Sequence, residues 1–194
     1  MFVSDLRHFL DLPDDVPGAA RRIAERLTLI VRAATAGDAG AEWVSALTCD
    51  RRPGRRPCEG HLALRCTDVP PSIAWRCTSC GDEGVIHGWE RSPYDLRPRH
   101  PRPRSTDARR VVIPADTAAI LRRLELFDSD TERLVFRAEA SEAGIALVGD
   151  DDDLDELLGY VAAEANHEDD RRRQRRLDDA FEVLNRAIDA PRRP

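Results

Sequence analysis

Residues 77–81 read Cys77-Thr78-Ser79-Cys80-Gly81. Two thiols at this spacing can grip one ion from a tight turn, and the glycine that follows permits the backbone to aim its amides at sulfur. Thioredoxin-like redox motifs share the C-x2-C spacing, but they sit where a strand runs into a helix. Here Gly81 and then Gly84-Val85-Ile86 read as turn and strand, which favours a metal knuckle.

The other cysteines lie upstream, at Cys49, Cys58 and Cys66. A closed structural zinc site takes about four ligands. Two sets compete: Cys49, Cys58, Cys77 and Cys80, or the same set with His61 in place of Cys49. The second has the tidier spacing, through Cys58-Glu59-Gly60-His61. The first places each cysteine pair at a hairpin tip and is preferred. Trp43 to Thr48 would run into Cys49, and His61 to Cys66 would run out after Cys58-Glu59-Gly60. Ser72 to Arg76 would run into Cys77, and Gly84 to Trp89 would run out after Cys80-Gly81. Its cost is an insert, Asp50 to Pro57, inside the first knuckle. Cys66 ends an alternating strand and reads as a small buried hydrophobe. His61, if not a ligand, and His87 read as strand-surface residues.

This arrangement, over about residues 42–90, resembles a zinc ribbon with a long first loop. The resemblance implies a structural Zn2+. It implies no particular activity, because zinc ribbons serve many roles.

The flanks are of different character. Upstream, Ser4 reads as the cap of a short helix through Leu10. Asp15 and Pro17 read as the start of a longer one, with Ile23, Leu27, Ile30, Val31 and Ala34 on one face and Gly37 and Gly40 as its stop. Downstream, residues 91–110 interleave Pro93, Pro98, Pro101 and Pro103 with arginines, which predicts an extended linker. Residues 111–194 predict a strand at Val111-Val112-Ile113 and a helix from Ala115. A hairpin is expected with Leu134, Phe136 and Ala138 on one arm and Ile145 and Leu147 on the other. Two helices starting near Asp150 and Asp170 would end the chain. The expected fold is α+β: helices plus zinc ribbon over 1–90, a linker over 91–110, and an acidic α+β domain over 111–194 ending in a helical hairpin.

Charge follows the same division. Residues 1–48 carry net −2, residues 49–110 net +5 and residues 111–194 net −9 within a 194-residue chain of net −6. All 30 basic residues are arginine, so arginine clusters say less here about phosphate binding than they would in a mixed composition. Arg51, Arg52, Arg55 and Arg56 in the first-knuckle loop have few acidic neighbours and are candidate nucleic-acid contacts, with Trp75, Trp89 and Tyr94 as candidate stacking partners. The run from Arg171 to Arg176 is flanked by acids at helical spacing and reads as a salt-bridged face. The acids of 150–155 miss the calcium-loop pattern, since Glu156 and Ala162 stand where glycine and glutamate are needed.

No P-loop, dinucleotide fingerprint, nucleophile elbow or zincin motif is present, so no enzyme class is expected and catalysis is left open. No apolar run is long enough to span a membrane, and Met1-Phe2-Val3-Ser4-Asp5 does not read as a signal peptide. These features predict a cytoplasmic, non-catalytic interaction protein with a protein partner, the alternative being a nucleic-acid-binding regulator.

Overall fold

The computed structural model describes residues 2–13, 15–98, 107–124 and 128–190. The chain is mixed α/β and divides into two compact units, 1–97 and 98–194.

The first unit is a sheet with one helix against it. Its elements are β1 (Phe2–Asp5), α1 (Gly18–Ala36), β2 (Glu42–Thr48), β3 (His61–Asp68), β4 (Pro71–Cys77) and β5 (Glu83–His87). β2 to β5 form an antiparallel meander, and β1 adds to β5 in parallel, giving the order β1-β5-β4-β3-β2. Side chains alternate across a strand. Register therefore places Leu64 beside Trp75, Cys66 beside Ile73, and Ile73 beside Ile86 on one face. α1 packs on this sheet with Ala24, Leu27, Ile30, Val31 and Ala34 buried. Each fully buried Leu or Ile contributes about 1.5–3 kcal/mol.

Two expectations for this unit need correction. The segment expected as a helix capped by Ser4 is instead β1 followed by a single 3₁₀ turn, Leu6–Phe9, capped by the Asp5 carboxylate. Backbone pairing with β5 decides this, a long-range partner that no local pattern reveals. α1 begins at Gly18, with Pro17 in the capping position and no side-chain cap, and Ile23 is 42% exposed rather than on the packed face.

After β5, Trp89 is fully buried and the Arg97 guanidinium lies 4.4 Å from its ring centroid. Arg97 also binds Asp95 at 2.7 Å and Asp68 at 2.9 Å, and the Leu96 amide donates to Thr35 Oγ1 on α1 at 3.0 Å. Residues 91–97 therefore fold back onto the first unit. Most of the rest of the expected linker, 99–106, lies outside the described residues.

The second unit contains β6 (Arg109–Ile113), α2 (Ala115–Leu121), α3 (Ser129–Phe136), β7 (Glu139–Ser141), β8 (Gly144–Gly149), α4 (Asp151–His167) and α5 (Arg171–Asp189). β8 pairs with both β6 and β7. Leu134 and Phe136 belong to a helix, not to a hairpin arm. The Asp128 carboxylate caps α3 through the amides of Asp130 and Thr131, and Leu134, Val135 and Phe136 are all buried. Three consecutive buried residues fit a short helix as well as a strand, and the cap decides. α4 opens with a reciprocal cap between Asp150 and Asp153, and α5 is capped by Asp170. α4 and α5 form the C-terminal helix pair, with Leu154, Leu157 and Val161 of one and Leu177, Ala180 and Leu184 of the other buried.

Candidate metal centre

Two chain turns build the centre from the ends of paired strands. β2 delivers Cys49 and the segment before β3 delivers Cys58; β4 ends at Cys77 and the following turn carries Cys80. Antiparallel pairing of β3 with β4 brings the turns together, and Leu62 opposite Cys77 fixes the register. The Thr78 amide donates to the His61 carbonyl at 2.9 Å, and the His61 amide donates to Thr78 Oγ1 at 3.1 Å. His61 thus ties the turns together through its backbone.

The four sulfurs of Cys49, Cys58, Cys77 and Cys80 all lie within 4.8 Å of one another. Cys49 Sγ is 3.7 Å from Cys80 Sγ, and Cys58 Sγ is 3.6 Å from Cys77 Sγ. A tetrahedral ion with metal–sulfur bonds of about 2.3 Å requires sulfur–sulfur edges of about 3.8 Å. The cluster includes Cys49 and not His61. Cys66 is buried in the sheet core, away from it, and burial pushes its thiol up to about 11.

The insert of the first knuckle closes on itself. The Cys58 amide donates to the Arg51 carbonyl at 2.9 Å, and Pro53–Arg55 makes a 3₁₀ turn in which Gly54 and Arg55 have φ of 60° and 68°. Arg26 on α1 braces the start of the loop, donating to the Thr48 carbonyl at 2.9 Å and meeting Asp50 at 3.1 Å. A folded loop of this kind lets cysteines nine positions apart act as a pair.

Backbone amides point at the sulfurs. Arg51 N donates to Cys49 Sγ at 3.5 Å, Gly60 N to Cys58 Sγ at 3.4 Å, and Ser79 N and Cys80 N to Cys77 Sγ at 3.3 and 3.4 Å. Such donors stabilise thiolate over thiol. At Cys77, burial raises the pKa, but the amides of Cys80 and Ser79 and the neighbouring thiols outweigh it and bring the group down to about 7. At Cys49, burial dominates and the thiol is pushed up. A second bare thiolate so close to the first is unfavourable. Four thiolates in this space require a cation among them, so the donor set suits a soft divalent metal.

Gly60 is required by close approach. A Cβ there would stand 2.5 Å from Cys77 Sγ and 2.9 Å from the Ser79 backbone nitrogen. Its carbonyl also accepts from the Cys49 amide at 2.8 Å, so one residue touches both knuckles. The glycine was visible in the sequence, but its contact with the opposite knuckle was not.

The basic loop is only partly as expected. Arg51 lies 3.8 Å from Asp82, whereas Arg52, Arg55 and Arg56 are exposed and form no ion pair among the described residues. The expected aromatic set does not assemble beside them. Trp89 is fully buried beneath Arg97, Tyr94 lies under Arg32 at 5.3 Å, and Trp75 is half-buried in β4.

No known protein family matches the chain, and neither the curated proteins nor the solved structures contain a significant match to it.

Proposed function

We propose that the first unit holds one structural Zn2+ through Cys49, Cys58, Cys77 and Cys80 in a zinc-ribbon module, and that the protein acts as a non-catalytic interaction protein. The observation that carries this is the convergence of four sulfurs within 4.8 Å of one another, two of the pairs standing at 3.6 and 3.7 Å. Four protein ligands close the coordination shell and leave no position for a substrate, which marks structural rather than catalytic zinc. A sheet unit of this size gains folding free energy directly from such an ion.

The test is metal content by mass spectrometry on reduced protein never exposed to chelator, with Cys80→Ser alongside. One zinc per chain, lost in the variant, supports the reading. Absence of any bound metal overturns it, and iron in place of zinc would overturn the identity of the ion. The interaction role predicts a specific protein partner that co-purifies from native cells at low salt.

A second reading is nucleic-acid binding through the first-knuckle loop. It is favoured by the exposed guanidiniums of Arg52, Arg55 and Arg56, which form no ion pair among the described residues. Changing Arg51, Arg52, Arg55 and Arg56 together to Ala then abolishes a steeply salt-dependent affinity for DNA or RNA. Unchanged binding in that variant removes the proposed surface.

A further inference from the structure

The second unit carries an arginine-lined groove unconnected with the cysteines. It runs between α2 and the first half of α5, has a volume of about 440 Å³, and has Ile120, Leu124 and Leu177 along its apolar side. Arg123, Arg172 and Arg176 line it, and none of the three forms an ion pair among the described residues. This is unexpected in the acidic part of the chain, where the run from Arg171 to Arg176 was expected to be neutralised by its flanking acids. Among the described residues Arg173 alone follows that expectation, meeting Glu164 at 2.7 Å and Glu168 at 2.9 Å.

Two acids, Glu168 and Asp170, also line the groove. Glu168 binds Arg173 and accepts from the Asp170 amide at 2.9 Å. Asp170 Oδ1 accepts from the amides of Arg172 and Arg173 at 2.7 and 2.9 Å as the cap of α5. Next to Arg123 in sequence, Arg122 has an inaccessible Nη1 with no acceptor among the described residues, and burial together with the charge of Arg123 lowers its pKa to about 10. Arg123, Arg172, Arg173 and Arg176 outnumber Glu168 and Asp170 in the lining, so among the described residues the groove is short of counterions. An anion seated there would supply them, and its apolar portion would cover the leucines and isoleucine.

We infer that the α2–α5 groove is a binding site for an organic anion: a carboxylate, sulfonate or phosphate ester with an apolar body. A volume of about 440 Å³ suits a small molecule. Guanidinium groups in a fork geometry suit oxyanions. Carboxylate and phosphate sources share this chemistry.

The test uses the full-length, metal-replete protein and anilinonaphthalene sulfonate, whose fluorescence rises in apolar surroundings. Its neutral congener phenylnaphthylamine, which lacks the sulfonate, runs in parallel. The expected result is saturable binding of the anion at one site per chain, weakened by salt, with the neutral dye at least about tenfold weaker. Changing Arg123 and Arg176 together to Gln weakens the anion by about tenfold, equivalent to about 1.4 kcal/mol. Changing Arg171 and Arg175 together to Gln, which do not line the groove, leaves it unchanged. Circular dichroism confirms that both variants are folded. Displacement of the dye by an alkyl phosphate or by a fatty carboxylate then identifies the preferred oxyanion. Unsaturable dye binding, equal affinity for the neutral dye, or equal loss in both arginine pairs overturns the inference.

Discussion

Gly60→Ala tests the geometry of the centre most directly. The added methyl would stand 2.5 Å from Cys77 Sγ, 2.7 Å from Ser79 Cβ and 2.9 Å from Ser79 N. Ordinary contact between such atoms is about 3.5–4.0 Å, so relief requires a displacement of roughly 1 Å. Ser79 N is backbone and cannot rotate away. Moving Cys77 instead breaks a site whose ligand distances tolerate only about 0.2 Å. Moving Gly60 pulls on the Cys49 amide and on the donor to Cys58 Sγ. Overpacking of this kind costs about 1–3 kcal/mol, which corresponds to a loss of roughly tenfold to a hundredfold in metal affinity. The assay is competition of Zn2+ against a chromogenic chelator, with Co2+ as a spectroscopic substitute that reports tetrahedral thiolate coordination. Gly159→Ala is the control, since a Cβ there has no neighbour within 4 Å. If Gly60→Ala keeps the native Co2+ spectrum and affinity, the packing of the two knuckles described above is wrong.

Gly159→Ala itself should stabilise the second unit by about 0.5–1 kcal/mol, because alanine replaces glycine within α4; thermal unfolding checks this. Cys66→Ala should retain one metal per chain while losing about 1 kcal/mol of stability from the sheet core, whereas Cys58→Ser should lose the metal; mass spectrometry and denaturant unfolding separate the two. Asp95→Asn should destabilise the first unit by about 1–3 kcal/mol at neutral pH. Burial raises the Asp95 pKa, but bonds from Arg97 and from the Arg91 and Arg97 amides overcome it and hold the carboxyl below its ordinary value of 3.8. A group depressed on folding contributes stability above its unfolded pKa and loses it as pH falls through the folded one. The gap between wild type and variant should therefore begin to narrow below about pH 4 and close as pH falls through the depressed native value; a gap that does not narrow at all below about pH 4 refutes the pairing.

Much of the first unit was legible because its signals are local. Cys77, Cys80 and Gly81 specify a knuckle by spacing, and the short apolar runs from Trp43 to Ile86 mark strands by alternation. The acids at Asp150 and Asp170 mark helix starts because a carboxylate there satisfies free amides within the same turn. Where the local signal was ambiguous, the reading failed. Leu134, Val135 and Phe136 fit either period, and Phe2–Asp5 depended on a partner strand more than 80 residues away.

By itself, the sequence determined that cysteines were the candidate ligands, where strands β2 to β6 and the final helices lie, and that charge changes sign along the chain. Each of these depends on neighbours a few positions apart. Only the tertiary structure decided that Cys49 rather than His61 reaches the other three sulfurs. That choice depends on how the 50–57 loop closes and on the β3–β4 register. It alone buried Trp89 beneath Arg97 and gathered Arg123, Arg172 and Arg176, without an ion pair among the described residues, around one groove. Helical spacing offers acids to those arginines, but Glu168 meets Arg173 instead and Asp170 caps α5.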